Sequence, residues 1–241
     1  MGLTILNIAK SFCYEDKLTA PSSLVSSTDP NAQQLLYLIL AVGRELLREK
    51  CWVQLKRTHS FSTVDGDDAY ALPTDFYCPI HETYWDITNK RRLVGGMTDQ
   101  TYDEYLYGYA VGPVSSIYFR IFGRLGTDQF QVQPTPDSTI LTLKFDYMSN
   151  AWILKASDSS WQSTIAADAD TTAFDDDLMI QGLRWMWKKA NKMDYQDDES
   201  LWREKITAIQ TNLMPATVID IGQRHGGPQL LSERNYPEGS F

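Results

Sequence analysis

The sequence predicts an α+β fold: an antiparallel helical bundle formed by N- and C-terminal helices, a β-rich domain inserted between them, and an extended C-terminal tail. Three observations carry that prediction. Apolar residues recur at helical spacing near both ends of the chain, over residues 30–51 and 176–213. Between those stretches the period shortens to two, with aromatic and β-branched residues set between turn signals. After Pro215 all periodicity ends. The expected divisions are residues 1–52 for the N-terminal helices, 53–156 for the β-rich insertion, 157–214 for a loop and a helical hairpin, and 215–241 for the tail.

Taken in order, residues 3–12 read as a short helix with Ile5, Leu6, Ala9 and Phe12 on one face. A Ser/Thr-rich loop follows. Thr28-Asp29-Pro30 then starts a second helix, because Asp or Thr caps free N–H groups and proline fits the first turn. Leu35, Ile39, Val42 and Leu46 form its stripe, widened by Leu36, Leu40 and Leu47. From Trp52 the alternation of Val53, Leu55, Arg57, His59 and Phe61 reads as a strand. Further strands are expected at residues 81–87, 92–94, 116–122, 130–132 and 139–147, with a short helix over 98–107.

Residues 157–177 read as a polar loop or arm, ending where Asp175, Asp176 and Asp177 suit a helix N-terminus. The next helix carries the seam Met179, Leu183, Met186, Ala190 and Met193, and the last carries Trp202, Ile206, Ile209 and Leu213. The short link between them favours a hairpin. Of the neighbours Trp185 and Trp187, Trp187 is expected to be the more buried, on the Leu183 and Met186 side.

The 241 residues are 43% hydrophobic and carry a net charge of −9, which disfavours nucleic acid as a retained ligand. No apolar run is long enough to span a bilayer. Met1-Gly2-Leu3 lacks the basic region of a secretory leader, and Leu6 stands where a myristoylation signal needs Ser or Thr. Cys13, Cys51 and Cys78 have neither metal-ligand spacing nor a disulfide framework, and read as buried small hydrophobes.

No catalytic motif appears: there is no nucleophile elbow, P-loop, dinucleotide fingerprint or paired-histidine zinc helix. His59, His81 and His225 fall in separate segments, and Glu82 with Asp86 makes a poor acid pair. Asp168, Asp170 and Asp175 to Asp177 invite a calcium reading, but Ala173 and Met179 stand where such a loop needs Gly and Glu. A solvated loop with helix-capping acids explains them better. No catalytic, cofactor or metal residues are assigned, and no cofactor is expected. Tyr102, Tyr105, Tyr107 and Tyr109 raise a carbohydrate-binding reading with the rings as stacking platforms, although core and interface packing accounts for them more simply. Lys90, Arg91 and Arg92 read as a hairpin tip in solvent.

Four stretches resemble the head-to-tail adaptor (head-completion or connector) proteins of short-tailed bacteriophages: GRELLREKCW at residues 43–52, FSTVDGDDAYALPTDF at 61–76, YFRIFG at 118–123 with the proline turn at 134–136, and LMIQGLRWMWKKANKMDYQDDESLW at 178–202. The resemblance implies a non-enzymatic virion protein, made in the host cytoplasm and mounted at the capsid vertex. It implies a homo-oligomeric ring, a dodecamer, that sits under the portal protein, extends the DNA channel without sequence-specific binding, and receives tail or nozzle proteins. It involves no membrane. The alternative is another phage tail or baseplate component with a glycan-binding role. The C-terminal segment is implied to reach along the portal. Val218, Ile219 and Ile221, then Leu230 and Leu231, are its apolar anchors on either side of Gly226-Gly227-Pro228, with Arg224, Arg234, Tyr236 and Phe241 as further contacts. A segment of that composition has too few clustered apolar residues for its own core and orders against a neighbour.

Overall fold

A computed structural model of the chain describes residues 2–49, 51–107, 116–123 and 129–213. Mixed α and β structure fills them. Helix α1 (Ile5–Glu15) starts where the Thr4 hydroxyl accepts the Asn7 N–H at 3.2 Å. Helix α2 (Pro30–Glu49) starts as its sequence signal predicts, with the Asp29 carboxylate accepting the Asn31 N–H. The stripe of Leu35, Ile39, Val42 and Leu46 is buried, and Leu38 and Leu47 extend it. Trp52 closes the end of α2 by donating from its ring N–H to the Leu46 carbonyl at 2.7 Å.

Strands follow: β1 (Lys56–Ser62), β2 (Ala69–Ala71), β3 (Phe76–Pro79), β4 (Trp85–Asp86), β5 (Arg91–Arg92) and β6 (Val94–Gly95). After helix α3 (Asp99–Tyr107) come β7 (Tyr118–Phe122), β8 (Gln129–Gln133) and β9 (Thr142–Ser149). Two expected strands are shorter than their alternation suggested. Residues 53–55 form a 3-10 turn, so β1 begins only at Lys56. The strand expected over 81–87 shrinks to Trp85–Asp86, because Glu82 adopts φ +62° and the Thr83 hydroxyl bonds back to the Ile80 carbonyl.

Strand β9 organises one sheet. It pairs antiparallel with β1 from Lys56↔Met148 to Ser62↔Thr142, and also with β3 and β4, while β5 pairs with β4. A second sheet runs β2-β8-β7-β6, parallel only between β6 and β7. Aromatic rings join the two sheets. Phe145 of β9 lies 5.2 Å from Phe130 of β8, nearly parallel, and Phe119 and Tyr84 continue the stack.

Strands β10 (Ile153–Leu154), β11 (Trp161–Gln162) and β12 (Thr171–Thr172) form a small third sheet, with β11 and β12 in the region expected to be a polar loop. Two aspartates account for that difference. Asp170 is 1% exposed and accepts N–H groups from Ala156, Ala166 and Ala167. The Asp168 carboxylate accepts the N–H groups of Leu24 and Val25, and its carbonyl that of Leu6. These acids are therefore internal ties between distant backbone segments, not solvated groups.

Helix α4 (Asp176–Ala190) is capped by the Asp175 side chain, which accepts the Leu178 N–H at 3.1 Å, as the acid run predicts. The Asp176 carboxylate instead takes the Leu3 N–H from the start of the chain. α4 packs against α1, α2 and the last helix, α5 (Gln196–Leu213). One apolar cluster therefore holds residues from both ends of the sequence: Ile5, Phe12, Ile39, Leu46, Leu183 and Trp202 among them. Each such side chain contributes about 1.5–3 kcal/mol on burial. The aromatic stack forms a second cluster.

Two helix glycines admit close packing. A Cβ on Gly43 of α2 would lie 2.2 Å from the Trp152 ring, and one on Gly182 of α4 would lie 2.6 Å from Val42. The expected order of burial at Trp185 and Trp187 is reversed. Trp185 is buried beside Trp202, with ring centroids 5.4 Å apart, while Trp187 is half-buried against Phe12. The seam of α4 turns toward α5 because Gly182 admits the Trp202 ring, which brings Trp185 to the inner side. The seam also fades toward its end, where Met193 is exposed.

Candidate functional site

Val218, Ile219, Ile221, Arg224, Leu230, Leu231, Arg234, Tyr236 and Phe241, assigned to portal docking, lie outside the described residues, as does His225. The last described element is α5, which ends at Leu213.

The other residues singled out in the sequence occupy separate places. His59 sits on β1 between the rings of Phe61 and Phe145, at 5.7 and 5.5 Å. Burial lowers its pKa, only partly opposed by Asp75, so it is a neutral packing residue near pH 7. His81 is exposed. Asp86 is fully buried and occupied: it accepts from the Asn89 N–H and amide, and pairs with Arg91 at 3.2 Å. It holds the β4–β5 turn, so Glu82, which is exposed, has no carboxylate partner in it. The basic tip is likewise structural at Arg91. Among the described residues, no group of three or more His, Cys, Asp or Glu is placed to hold a metal ion.

The tyrosine cluster divides. Tyr102 is buried, with the Arg120 guanidinium stacked on its ring at 3.7 Å and on Phe122 at 4.7 Å. Arg120 also bonds Gln131 and Asp99, so this cation locks α3 onto β7 and β8. Tyr107 is 80% exposed, while the Tyr105 side chain and Tyr109 lie outside the described residues. Among the described residues, most rings of the β-rich region therefore fill its interior.

A concavity of about 440 Å³ lies at the rim of the second sheet. Tyr84, Leu93 and Phe119 make its apolar floor, and His81, Glu82 and Arg92 its charged rim. These rim groups carry both signs of charge and present no nucleophile with a base.

Of the cysteines, Cys13 is buried as expected and Cys78 is half-buried, but Cys51 is exposed. The chain turns at the end of α2, and Trp52 takes the interior position instead.

Helix-end charges knit the helices together. Arg184 of α4 pairs with Glu15 and with Asp16 (3.5 Å) just past α1, and Arg203 of α5 with Glu49 of α2 at 2.7 Å. Burial raises the pKa of Asp16, with the Lys188 charge acting the other way. No described helix is long and apolar enough to cross a membrane. Large apolar side chains such as Tyr14 and Tyr37 are exposed on the helices.

The family model described as SU10 adaptor protein covers residues 15–225, most of the chain. No curated protein matches the chain significantly.

Proposed function

We infer the role of this chain from its family: it belongs to the SU10 adaptor proteins, structural adaptors of a short-tailed phage. The proposed role is that of one subunit of a homo-oligomeric ring, a dodecamer, which joins the portal protein to the tail at the capsid vertex. Within it, the helices from the two ends of the sequence act as one bundle and the β-rich region as an insertion. The ring extends the DNA channel and receives tail or nozzle proteins below, without catalysis and without sequence-specific DNA contact.

The single observation that carries this reading is the family match across residues 15–225. Three features support it. The chain carries a net charge of −9, and an acidic wall repels DNA and so does not retain it. The helices bear exposed aromatic residues suited to protein contacts. The tail from 215 to 241 has spaced apolar anchors and two arginines for charge-assisted bonds.

Rings form on the portal as template, since copies held side by side meet at high effective concentration. Sedimentation tests this. The free chain at micromolar concentration should run as a monomer or weak oligomer, and should co-sediment with portal rings when mixed. Failure to bind portal rings under any salt condition would refute the assignment.

A further inference from the structure

A basic cleft and an acidic projection lie at opposite ends of the β1–β9 pair. The cleft holds about 280 Å³. Arg44 and Arg48 of α2 line it, four residues apart and so on one helix face. Asn150, Ser163 and Thr164 line the rest, together with the buried Trp152. Among the described residues Arg44 forms no ion pair, and Arg48 reaches only Glu45 of its own helix, at 3.6 Å. The side chains of Asn150, Ser163 and Thr164 make no hydrogen bond among those residues either. The cleft thus presents guanidinium, amide and hydroxyl donors without internal acceptors.

The projection is the turn Asp65-Gly66-Asp67, between β1 and β2. It stands clear of the body: a Cβ on Gly66 would meet nothing within 4 Å. The turn is nonetheless held in place. The Tyr70 hydroxyl donates to the Asp67 carbonyl at 2.6 Å and accepts the Val64 N–H at 3.1 Å, and the Gly66 N–H donates to the Pro136 carbonyl at 3.0 Å. Asp65 and Asp67 are exposed, and neither carboxylate forms an ion pair among the described residues. Two acids therefore stand on a loop that needs little further ordering to bind. The turn follows Ser62 at one end of β1, while the cleft lies past the other end, where β9 finishes at Ser149. The seven residues of β1 span about 23 Å at about 3.3 Å each, so the turn does not reach the cleft of its own chain.

We propose that the Asp65-Gly66-Asp67 turn of one copy docks in the Arg44/Arg48 cleft of the next copy, as a lateral contact of the ring; this rests on the ring reading above. The two surfaces differ and lie at opposite ends, so the contact is head-to-tail. Such contacts build rings when the rotation closes, not two-fold dimers. Carboxylates and guanidiniums meet there in charge-assisted bonds. Both partners are exposed, so salt screens the contact. A DNA phosphate is the competing occupant. A chain of net charge −9 disfavours it, whereas every copy carries the acidic turn.

Sedimentation of the full chain in low salt, at rising concentration, tests the contact without portal. Wild type should self-associate, and added salt should disperse it. Arg44→Glu with Arg48→Glu reverses the cleft, and Asp65→Lys with Asp67→Lys reverses the turn. All four sites are exposed, and circular dichroism checks that each variant is folded. Each variant alone should stay monomeric. An equimolar mixture of the two should regain association, because each reversed surface then meets its complement, and so should a chain carrying all four changes. Wild type that stays monomeric in low salt, variants that associate like wild type, or a mixture that fails to recover would overturn the proposal. So would duplex DNA that wild type retains and the cleft variant does not. Co-sedimentation with portal rings separates this contact from the adaptor role. Wild type that binds portal without charge-dependent self-association removes the contact and leaves the role standing, and the reverse result removes the role alone.

Discussion

Replacing Gly43 by alanine places a methyl group 2.2 Å from Cζ2, 2.3 Å from Cη2 and 2.6 Å from Cε2 of Trp152. These atoms belong to a rigid ring that is 1% exposed and already packed against Phe174 at 5.6 Å, so it cannot swing aside. Overpacking a core in this way costs about 1–3 kcal/mol, and a rigid ring places the site near about 3. Alanine returns about 1 kcal/mol through its better helix propensity. The net loss is then about 2 kcal/mol, or roughly 4–8 °C in melting temperature for a chain of this size. Trp152→Phe removes the clashing atoms and alone should cost about 1–2 kcal/mol through the cavity it leaves. In the double variant the methyl occupies part of that cavity, so the combined loss should fall short of the sum by about 1–2 kcal/mol. Urea unfolding of the four proteins, followed by far-UV circular dichroism, measures the cycle. Additivity within about 0.5 kcal/mol would refute the claim that Gly43 exists to seat the Trp152 ring.

Other substitutions test other parts of the fold. Trp185→Ala should cost about 3–5 kcal/mol and Trp187→Ala distinctly less, since only Trp185 lies fully within the core; equal losses in chemical denaturation would contradict this. Asp170→Asn should cost about 2–3 kcal/mol, because an amide cannot accept from all the N–H groups that the carboxylate now gathers. The pH dependence has a defined sign. Burial pushes Asp170 up, but the N–H bonds from Ala156, Ala167 and Ala166 together with the Lys155 charge outweigh it and hold the carboxyl below its usual value. Its contribution is therefore complete above the unfolded value of about 3.9 and disappears as pH falls through the lower folded value. The Asp170→Asn variant should lose less stability than the wild type across that acid range, which thermal melts from pH 5 downward would reveal. Deleting residues after Met214 should leave the helical circular dichroism unchanged and abolish binding to portal rings; undiminished binding would make the tail dispensable.

Much of this architecture could be read before any coordinates. The Thr28-Asp29-Pro30 start, the Leu35–Leu46 stripe and the Asp175 cap are local signals, and each is found where the residues indicate. Three readings failed because their causes are long-range. Asp168 and Asp170 look like loop acids until the fold delivers backbone N–H groups from residues 24, 25, 156, 166 and 167. Trp185 outranks Trp187 in burial because Gly182 lets α5 approach from one side, and helical period alone does not state which side α5 takes. Cys51 is exposed, not buried, because Trp52 takes the interior position beside Phe174. The family, by contrast, was legible in four short stretches, and the match over residues 15–225 includes all of them.

The central claim is that this chain is a ring-forming adaptor that docks on the portal. Electron microscopy of the purified full-length chain mixed with isolated portal rings tests it most directly. The account predicts a second ring of density stacked coaxially on one end of the portal, with twelve-fold averages and an open central channel. Portal particles that remain bare in the presence of excess chain, or density attached off the axis, would contradict it.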